Sequence, residues 1–423
     1  MKRIDFLGAL FVGIDVSSKT NVVCAMDFSC NQLLTISIAN NHPGADELVE
    51  ALSNILLENA FNSVIIALES TSFYSTHIAT YLSDHSALKP FGVAVYCLNP
   101  KTIANCRKSF IGMSKTDPKD AYIIADFARV GRITQQPWRG SQFLALQRLT
   151  RHRLHIVECI TREKTYMISN MFLKFSQLAV DGGSPFSNNY GATAEAVLTE
   201  FLSLEEITDM PLDALVDYIC QKSRNRFTNP EQTAAILQKA ARDSYRLDKC
   251  LYEPLTISIA SSFNCISAFE KEVKIINKAI EHTIKGLNVN EYQCLMSIPG
   301  IGPVFAAGIL SEIGTIADFK SQDAVAKYAG LVWREHQSGD FRSDNTRMSK
   351  EGNRYLRYYL IEAANSVKNH NPLYADFYHK KYNEVTTHQH KRALALTARK
   401  LIRLIFGLLD KNQLFSDKVN IVI

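Results

Sequence analysis

The chain has 423 residues, 46% of them hydrophobic and 21% charged, which excludes a disordered, collagen-like or membrane-dominated polymer and allows two or three domains. Its net charge of +5 conceals two basic windows, residues 101–164 with 13 Lys/Arg against 5 Asp/Glu and residues 334–403 with 14 against 7. They leave −10 over the rest, a distribution suited to two separated surfaces gripping one polyanion. Nine cysteines without a C-x-x-C pair give neither a disulfide framework nor a zinc knuckle. The early apolar run Phe6 to Ile14 is too short to span a bilayer, so a cytoplasmic location with no membrane partner is expected.

In chain order, LFVGIDVS, NVVCAMDFS and LLTISIAN are short, β-branched or aromatic-rich runs that predict three consecutive strands. A helical pattern follows in ADELVEALSNILLENA, then the strand SVIIALES, a helix near THIATYLSDH and the strand VAVYCLNP, giving β-β-β-α-β-α-β. Residues 141–175 hold no Gly or Pro and predict one long helix. Residues 176–236 begin Gly/Ser/Asn-rich and turn helical, and residues 266–286 predict a second amphipathic helix. The two long helices are expected to pair subunits into a dimer or tetramer. From about Glu291 the chain is helical and rich in Arg, Lys and Tyr, with a break at RSDNTRMSKEGN.

Asp15 stands inside the first apolar strand, where a carboxylate is costly to bury unless it meets a cation or donors. Glu69 ends the strand SVIIALES in the same way. A parallel sheet that sets these strands side by side brings both acids to neighbouring strand ends. In KTDPKDAYIIADFA, Pro118 sits inside a helix start, Asp117 falls at the N-cap and Asp120 follows on the same face. Four such carboxylates form an oxygen-ligand site for Mg²⁺, and two ions about 4 Å apart suit phosphodiester chemistry. Taken singly, Asp117 is also an ordinary cap and Asp120 an ordinary first-turn acid.

Further on, SIPGIGPVFAAGIL has the glycines of a helix-hairpin-helix, with Gly300 and Gly302 permitting a tight turn whose N–H groups can face a phosphate. A plain helix-helix corner fits as well. Lys350, Arg354 and Arg357 recur at the spacing of one helical face, preceded by Arg342 and Arg347, and are candidates for phosphate contact. Tyr355, Tyr358 and Tyr359 read as core rather than as stacking platforms.

GIDVSSKT, ALESTSFY, the KTDPKDA segment, SIPGIGPVFAAGILSEIG, YAGLV and RMSKEGNRYLR together resemble the DEDD transposases of the bacterial insertion-sequence-110 family, relatives of the Piv DNA invertases. The resemblance implies a RuvC-like, ribonuclease-H-like α/β domain at 1–136, a helical linker and oligomerisation region at 137–290, and a mainly α C-terminal transposase domain at 291–423. It places Asp15, Glu69, Asp117 and Asp120 in the four acidic positions and Ser338, in QSG, as a nucleophile that forms a transient phosphoserine link. Ser343 and Ser349 compete for that role. It further implies double-stranded donor and target DNA, a guiding bridge RNA, and a composite site in which one subunit's carboxylates meet another's Ser338. The competing readings are a RuvC-like nuclease activating water, a sugar-kinase or actin-like ATPase suggested by GIDVSSK, and a noncatalytic hairpin DNA-binding protein.

Overall fold

The first apolar run becomes the central strand of a mixed sheet because it is hydrophobic on both sides: β1 (Ala9–Val16) is flanked by strands on each edge and covered on each face. The computed structural model describes residues 6–70, 73–110, 116–133, 137–180, 182–287, 289–333, 337–338, 341–342 and 348–416. They fall into two compact units, Met1–Ala145 with Gly314–Lys320, and Leu146–Ile313 with Ser321–Ile423.

In the first unit the chain continues through β2 (Thr20–Met26), β3 (Gln32–Ala39), α1 (His42–Glu58), β4 (Ser63–Glu69), α2 (Ser75–Asp84), β5 (Ala94–Leu98), α3 (Pro100–Arg107) and α4 (Asp117–Arg129). This is the β-β-β-α-β-α-β order legible in the sequence. The strands lie in the order β3-β2-β1-β4-β5. β1 to β3 form an antiparallel meander, whereas β4 and β5 run parallel to β1 and to each other. Alternation sorts each strand between two cores. Leu10, Val12, Ile14, Val64, Ile66 and Leu68 pack with α1 and α2. Phe11, Ile65 and Ala67 pack with Ile124, Ala125 and Ala128 of α4.

Gly13 lies on the α4 face, and a Cβ there would sit 2.2 Å from the Ala121 carbonyl oxygen and 2.3 Å from the Ala125 nitrogen. The glycine is needed because helix backbone presses on strand backbone at this point. Gly13→Ala is therefore expected to lower stability by about 3 kcal/mol through overpacking, read as a fall in the urea midpoint. An unchanged midpoint would show that α4 does not bear on β1.

The second unit is mainly helical. The Gly- and Pro-free stretch forms α5 (Ser141–Lys174) over 34 residues. The helices α6 (Ser176–Ala179), α7 (Ala192–Glu200), α8 (Leu204–Asp209), α9 (Leu212–Ser223) and α10 (Pro230–Asp243) make up the middle stretch. Their apolar residues, including Leu198, Leu215 and Leu237, close a core with Met167 and Met171 of α5. The second long helix, α11 (Tyr252–Lys285), starts 14 residues before the predicted 266, since Pro254 falls in the first turn where no N–H partner is lost. α5 and α11 run antiparallel within one chain, with Arg153 Nε donating to Asn277 Oδ1 at 2.7 Å and Ser262 Oγ to Glu163 Oε1 at 2.6 Å. Lys174 is buried and donates to the Leu198 and Phe201 carbonyls, and burial pushes its pKa down to about 8.

The chain ends with α12 (Val289–Met296), α13 (Pro303–Ile313), α14 (Gln322–Ala329), the two-residue strands β6 (Gln337–Ser338) and β7 (Phe341–Arg342), then α15 (Arg354–His370), α16 (Pro372–Asn383) and α17 (Gln389–Asp410). Among the described residues no helix is long and apolar enough to cross a membrane. Glu312 of α13, 2% exposed, anchors this region. Arg151 of α5 grips both its oxygens, at 2.8 and 2.9 Å, and Asn353 donates to it at 2.7 Å. Tyr359 is fully buried and donates to the Thr150 carbonyl, in keeping with a core assignment. Arg151→Met should cost about 3–5 kcal/mol, because it leaves a buried carboxylate without its cation. Glu312→Gln should cost clearly less in the same urea titration, and the reverse ranking would contradict the ion pair's role.

Candidate active site

Two of the four predicted acids stand where the sequence placed them. In the parallel pairing of β1 with β4, Ile14 lies opposite Leu68, and the next residues along the two strands are Asp15 and Glu69. Adjacent strands sit about 5 Å apart. Phe11 and Gly13 on one strand and Ile65 and Ala67 on the other face α4, so alternation sends Asp15 and Glu69 to that same face. Both are half-buried.

The other two acids come from α4. Its N-cap is Thr116, in extended backbone, which makes Asp117 the first helical residue, one position later than the cap expected. Pro118 then falls at the second helical position, in the first turn where its missing N–H forfeits no helical hydrogen bond. Asp117 is exposed and Asp120 is 4% exposed. Asp120 immediately precedes Ala121, whose carbonyl lies against Gly13, two residues before Asp15. α4 therefore carries Asp120 onto the sheet face that bears Asp15 and Glu69.

Sequence reasoning missed Arg107, the last residue of α3. Its Nη2 lies 2.6 Å from Asp120 Oδ2. Asp120 Oδ1 is buried and has no hydrogen-bond partner among the described residues, and Arg107 Nε is in the same condition. Arg107 had no signal of its own, because a basic residue in the last turn of a helix reads as a complement to the helix dipole. Among the described residues no three His, Cys, Asp or Glu side chains are gathered tightly enough to hold a metal ion. The donors are nonetheless all hard oxygens, and one buried oxygen lacks a partner, a set that fits Mg²⁺ once drawn together. Thiols offer no alternative nucleophile on this sheet, since burial pushes Cys24 up to about 11 and Cys97 up to about 12.

The remaining candidates belong to the second unit. Ser338 and Arg342 lie on β6 and β7, which pair antiparallel, with Ser338 opposite Phe341 and Gln337 opposite Arg342. Trp333 and Met348 bridge on either side of this segment in sequence, and Ser349 N–H donates to the Val332 carbonyl. Ser343 and Arg347 lie outside the described residues. Gly300 adopts φ +96°, and a Cβ there would meet Val367 Cα of α15 at 2.8 Å, whereas Gly302 faces open space. Packing against α15 thus accounts for the first glycine. Lys350 precedes α15 at positive φ, so it does not share a helical face with Arg354 and Arg357. Arg354 pairs with Glu158 at 2.7 Å. Arg357 turns inward and donates to the Ala329 and Lys350 carbonyls, where burial, then Arg354, lower its pKa. Both arginines have work inside the fold that spacing alone does not reveal.

A model of DEDD transposases of the IS110 type matches residues 12–175, and a model of the transposase IS116/IS110/IS902 family matches residues 292–379. The chain is 22% identical over 408 residues to an uncharacterized protein of insertion element IS116 from Streptomyces clavuligerus, with 96% of each chain covered. It is 29% identical over 171 residues to the transposase for insertion sequence element IS1111A of Coxiella burnetii, covering 35% of this chain and 44% of that one. A pilin gene-inverting protein of Moraxella bovis is 28% identical over 127 residues, 30% of this chain and 39% of its own. With both segments matched to models of one family, the chain belongs to the IS110 family of DEDD transposases, enzymes that recombine DNA.

Proposed function

We propose that this transposase cuts and rejoins DNA strands at the donor and target sites of its own insertion sequence, with residues 1–136 as a ribonuclease-H-like, RuvC-like catalytic domain. The observation that carries the reading is the placement of Asp15 and Glu69 at neighbouring ends of adjacent parallel strands, with Asp120 on the helix packed over that sheet face. The strand order β3-β2-β1-β4-β5 supports it, since it makes the acid-bearing strands neighbours.

Asp15, Glu69, Asp117 and Asp120 would hold divalent metal. When bound, Mg²⁺ supplies charge stabilisation to the scissile phosphate. The hydroxyl of Ser338 attacks the phosphorus, an Oγ–P bond forms as one deoxyribose oxygen leaves, and the serine proton is transferred to that oxygen or to solvent. Rejoining reverses the exchange, so the bond energy is conserved and no nucleotide cofactor is needed. Arg342, Arg347 and Lys350, with the Gly300–Gly302 turn as a helix-hairpin-helix, would contact backbone phosphates of donor and target DNA. Such contacts carry no sequence information, which fits guidance by a bridge RNA that pairs with both DNAs.

Residues 137–290 would serve assembly into a dimer or tetramer. Since α5 and α11 pair within the chain, the contact would use their outer faces, where Tyr166, Phe172 and Leu173 of α5 and Ile257 and Ile275 of α11 are exposed. The test is denaturing electrophoresis of labelled element ends incubated with protein, RNA and Mg²⁺. A protein-linked strand and a joined product are expected. Free cut ends without a protein link would mark a nuclease that activates water.

A further inference from the structure

Among the described residues two buried carboxylates are held by arginine, and they are built differently. Glu312 is closed: Arg151 donates to both oxygens and Asn353 adds a third bond. Such a fork-to-fork pair leaves nothing to bind. Asp120 is open: Arg107 meets Oδ2 alone, at 2.6 Å, while Oδ1 and Arg107 Nε are buried without a hydrogen-bond partner among the described residues. A buried ion pair used only for stability gains from satisfying these atoms, and leaving them unsatisfied is costly. Asp120 belongs to the helix turn whose Ala121 carbonyl presses on Gly13, over the sheet face to which alternation sends Asp15 and Glu69.

We infer that Arg107 is a positioning residue that acts as a resident cation for Asp120, pairing with its buried carboxylate until a divalent metal ion takes over that role. The inference rests on the proposed metal site. Arg107 reaches Asp120 from the end of α3 with its side chain 26% exposed, against 5% for the side chain of Asp120, so the arginine is the more solvent-accessible partner of the pair. Withdrawal of the arginine would free Oδ2 beside the already free Oδ1 and present a complete carboxylate. The arrangement has two consequences of opposite sign. The guanidinium's positive charge opposes metal entry, so its removal tightens binding. Without it the metal-free fold holds a buried, unpaired carboxylate, so the same change destabilises that state.

The experiment is Mn²⁺ titration of the full chain, followed by the paramagnetic signal of free Mn²⁺, together with thermal unfolding in chelator and in Mn²⁺. The proteins are wild type, Arg107→Met, Arg107→Lys, Asp120→Asn and the double variant Arg107→Met/Asp120→Asn. Arg107→Met should melt below wild type in chelator, bind Mn²⁺ about tenfold more tightly, and show a larger upward shift of melting temperature with the ion. Arg107→Lys keeps the charge and should titrate like wild type. If Arg107→Met does not fold without metal, refolding it in Mn²⁺ should recover it, and the double variant should fold in chelator yet bind Mn²⁺ weakly. Wild-type binding with equal or weaker affinity in Arg107→Met would overturn the resident-cation role and leave the metal site standing. No Mn²⁺ binding by wild type or by Arg107→Met would remove both.

Discussion

Asp15→Ala and Glu69→Ala will each reduce strand cleavage by at least about 10³-fold, while affinity for element-end DNA stays within about twofold of wild type. Each change deletes a carboxylate proposed to hold metal, at the end of a strand whose interior packing lies elsewhere. The apolar residues of β1 and β4 that hold the sheet together end at Ile14 and Leu68 on one face and at Phe11 and Ala67 on the other, apart from Val16. On the proposed function DNA affinity comes from basic side chains contacting phosphates, a term that removing an acid leaves in place. Asp126 supplies the control. It is on the same helix as Asp120, but its carboxylate is taken by Arg129 at 2.6 Å, three residues on. Asp120→Asn should therefore approach the loss seen for Asp15→Ala, and Asp126→Asn should keep most activity. Cleavage in Mg²⁺ at the wild-type rate by Asp15→Ala or Glu69→Ala would end the carboxylate reading. Equal losses at Asp120 and Asp126 would mean that the helix face had been misassigned.

Asp15 was conspicuous because a carboxylate inside an apolar strand needs a partner, and Glu69 because it closes a run of buried residues; both signals are local, and both residues lie at the strand ends they implied. The long helix over residues 141–175 was equally legible, since nothing in it interrupts helical backbone. What failed to show were properties set by residues distant in sequence. Arg357 has the spacing of a phosphate-binding arginine, and its Nη1 also donates to the Ala329 carbonyl 28 positions away, a contact that spacing does not reveal. Lys350 fits the same periodicity but precedes the first turn of α15, because Asn353 caps that helix through the Tyr355 and Leu356 amides. Gly300 looked like a phosphate-facing turn residue, and its close neighbour is the backbone of α15. Arg107 is the inverse case, a residue ordinary by spacing whose one notable feature is the carboxylate it meets 13 positions later.

Ser338→Ala will abolish both cleavage and the protein-linked strand, while metal affinity and DNA affinity remain. The reasoning is chemical: the substitution removes one hydroxyl and almost no volume or charge, so loss of a covalent adduct reports on the nucleophile and not on the fold. Its backbone setting is equally undemanding, since Ser338 pairs with Phe341 in a two-residue strand that alanine can also occupy. Ser349→Ala is the comparison within the same segment, because the Ser349 N–H bond to Val332 is made by the backbone and survives removal of the hydroxyl. Ser343→Ala completes the series. With labelled DNA, RNA and Mg²⁺ on a denaturing gel, Ser343→Ala and Ser349→Ala should retain the slow-migrating adduct that Ser338→Ala lacks. An adduct that persists in Ser338→Ala and disappears in one of the others would move the nucleophile to that serine. Cut strands with no adduct in wild type would instead assign the attacking oxygen to water, and the carboxylates would then be doing hydrolysis.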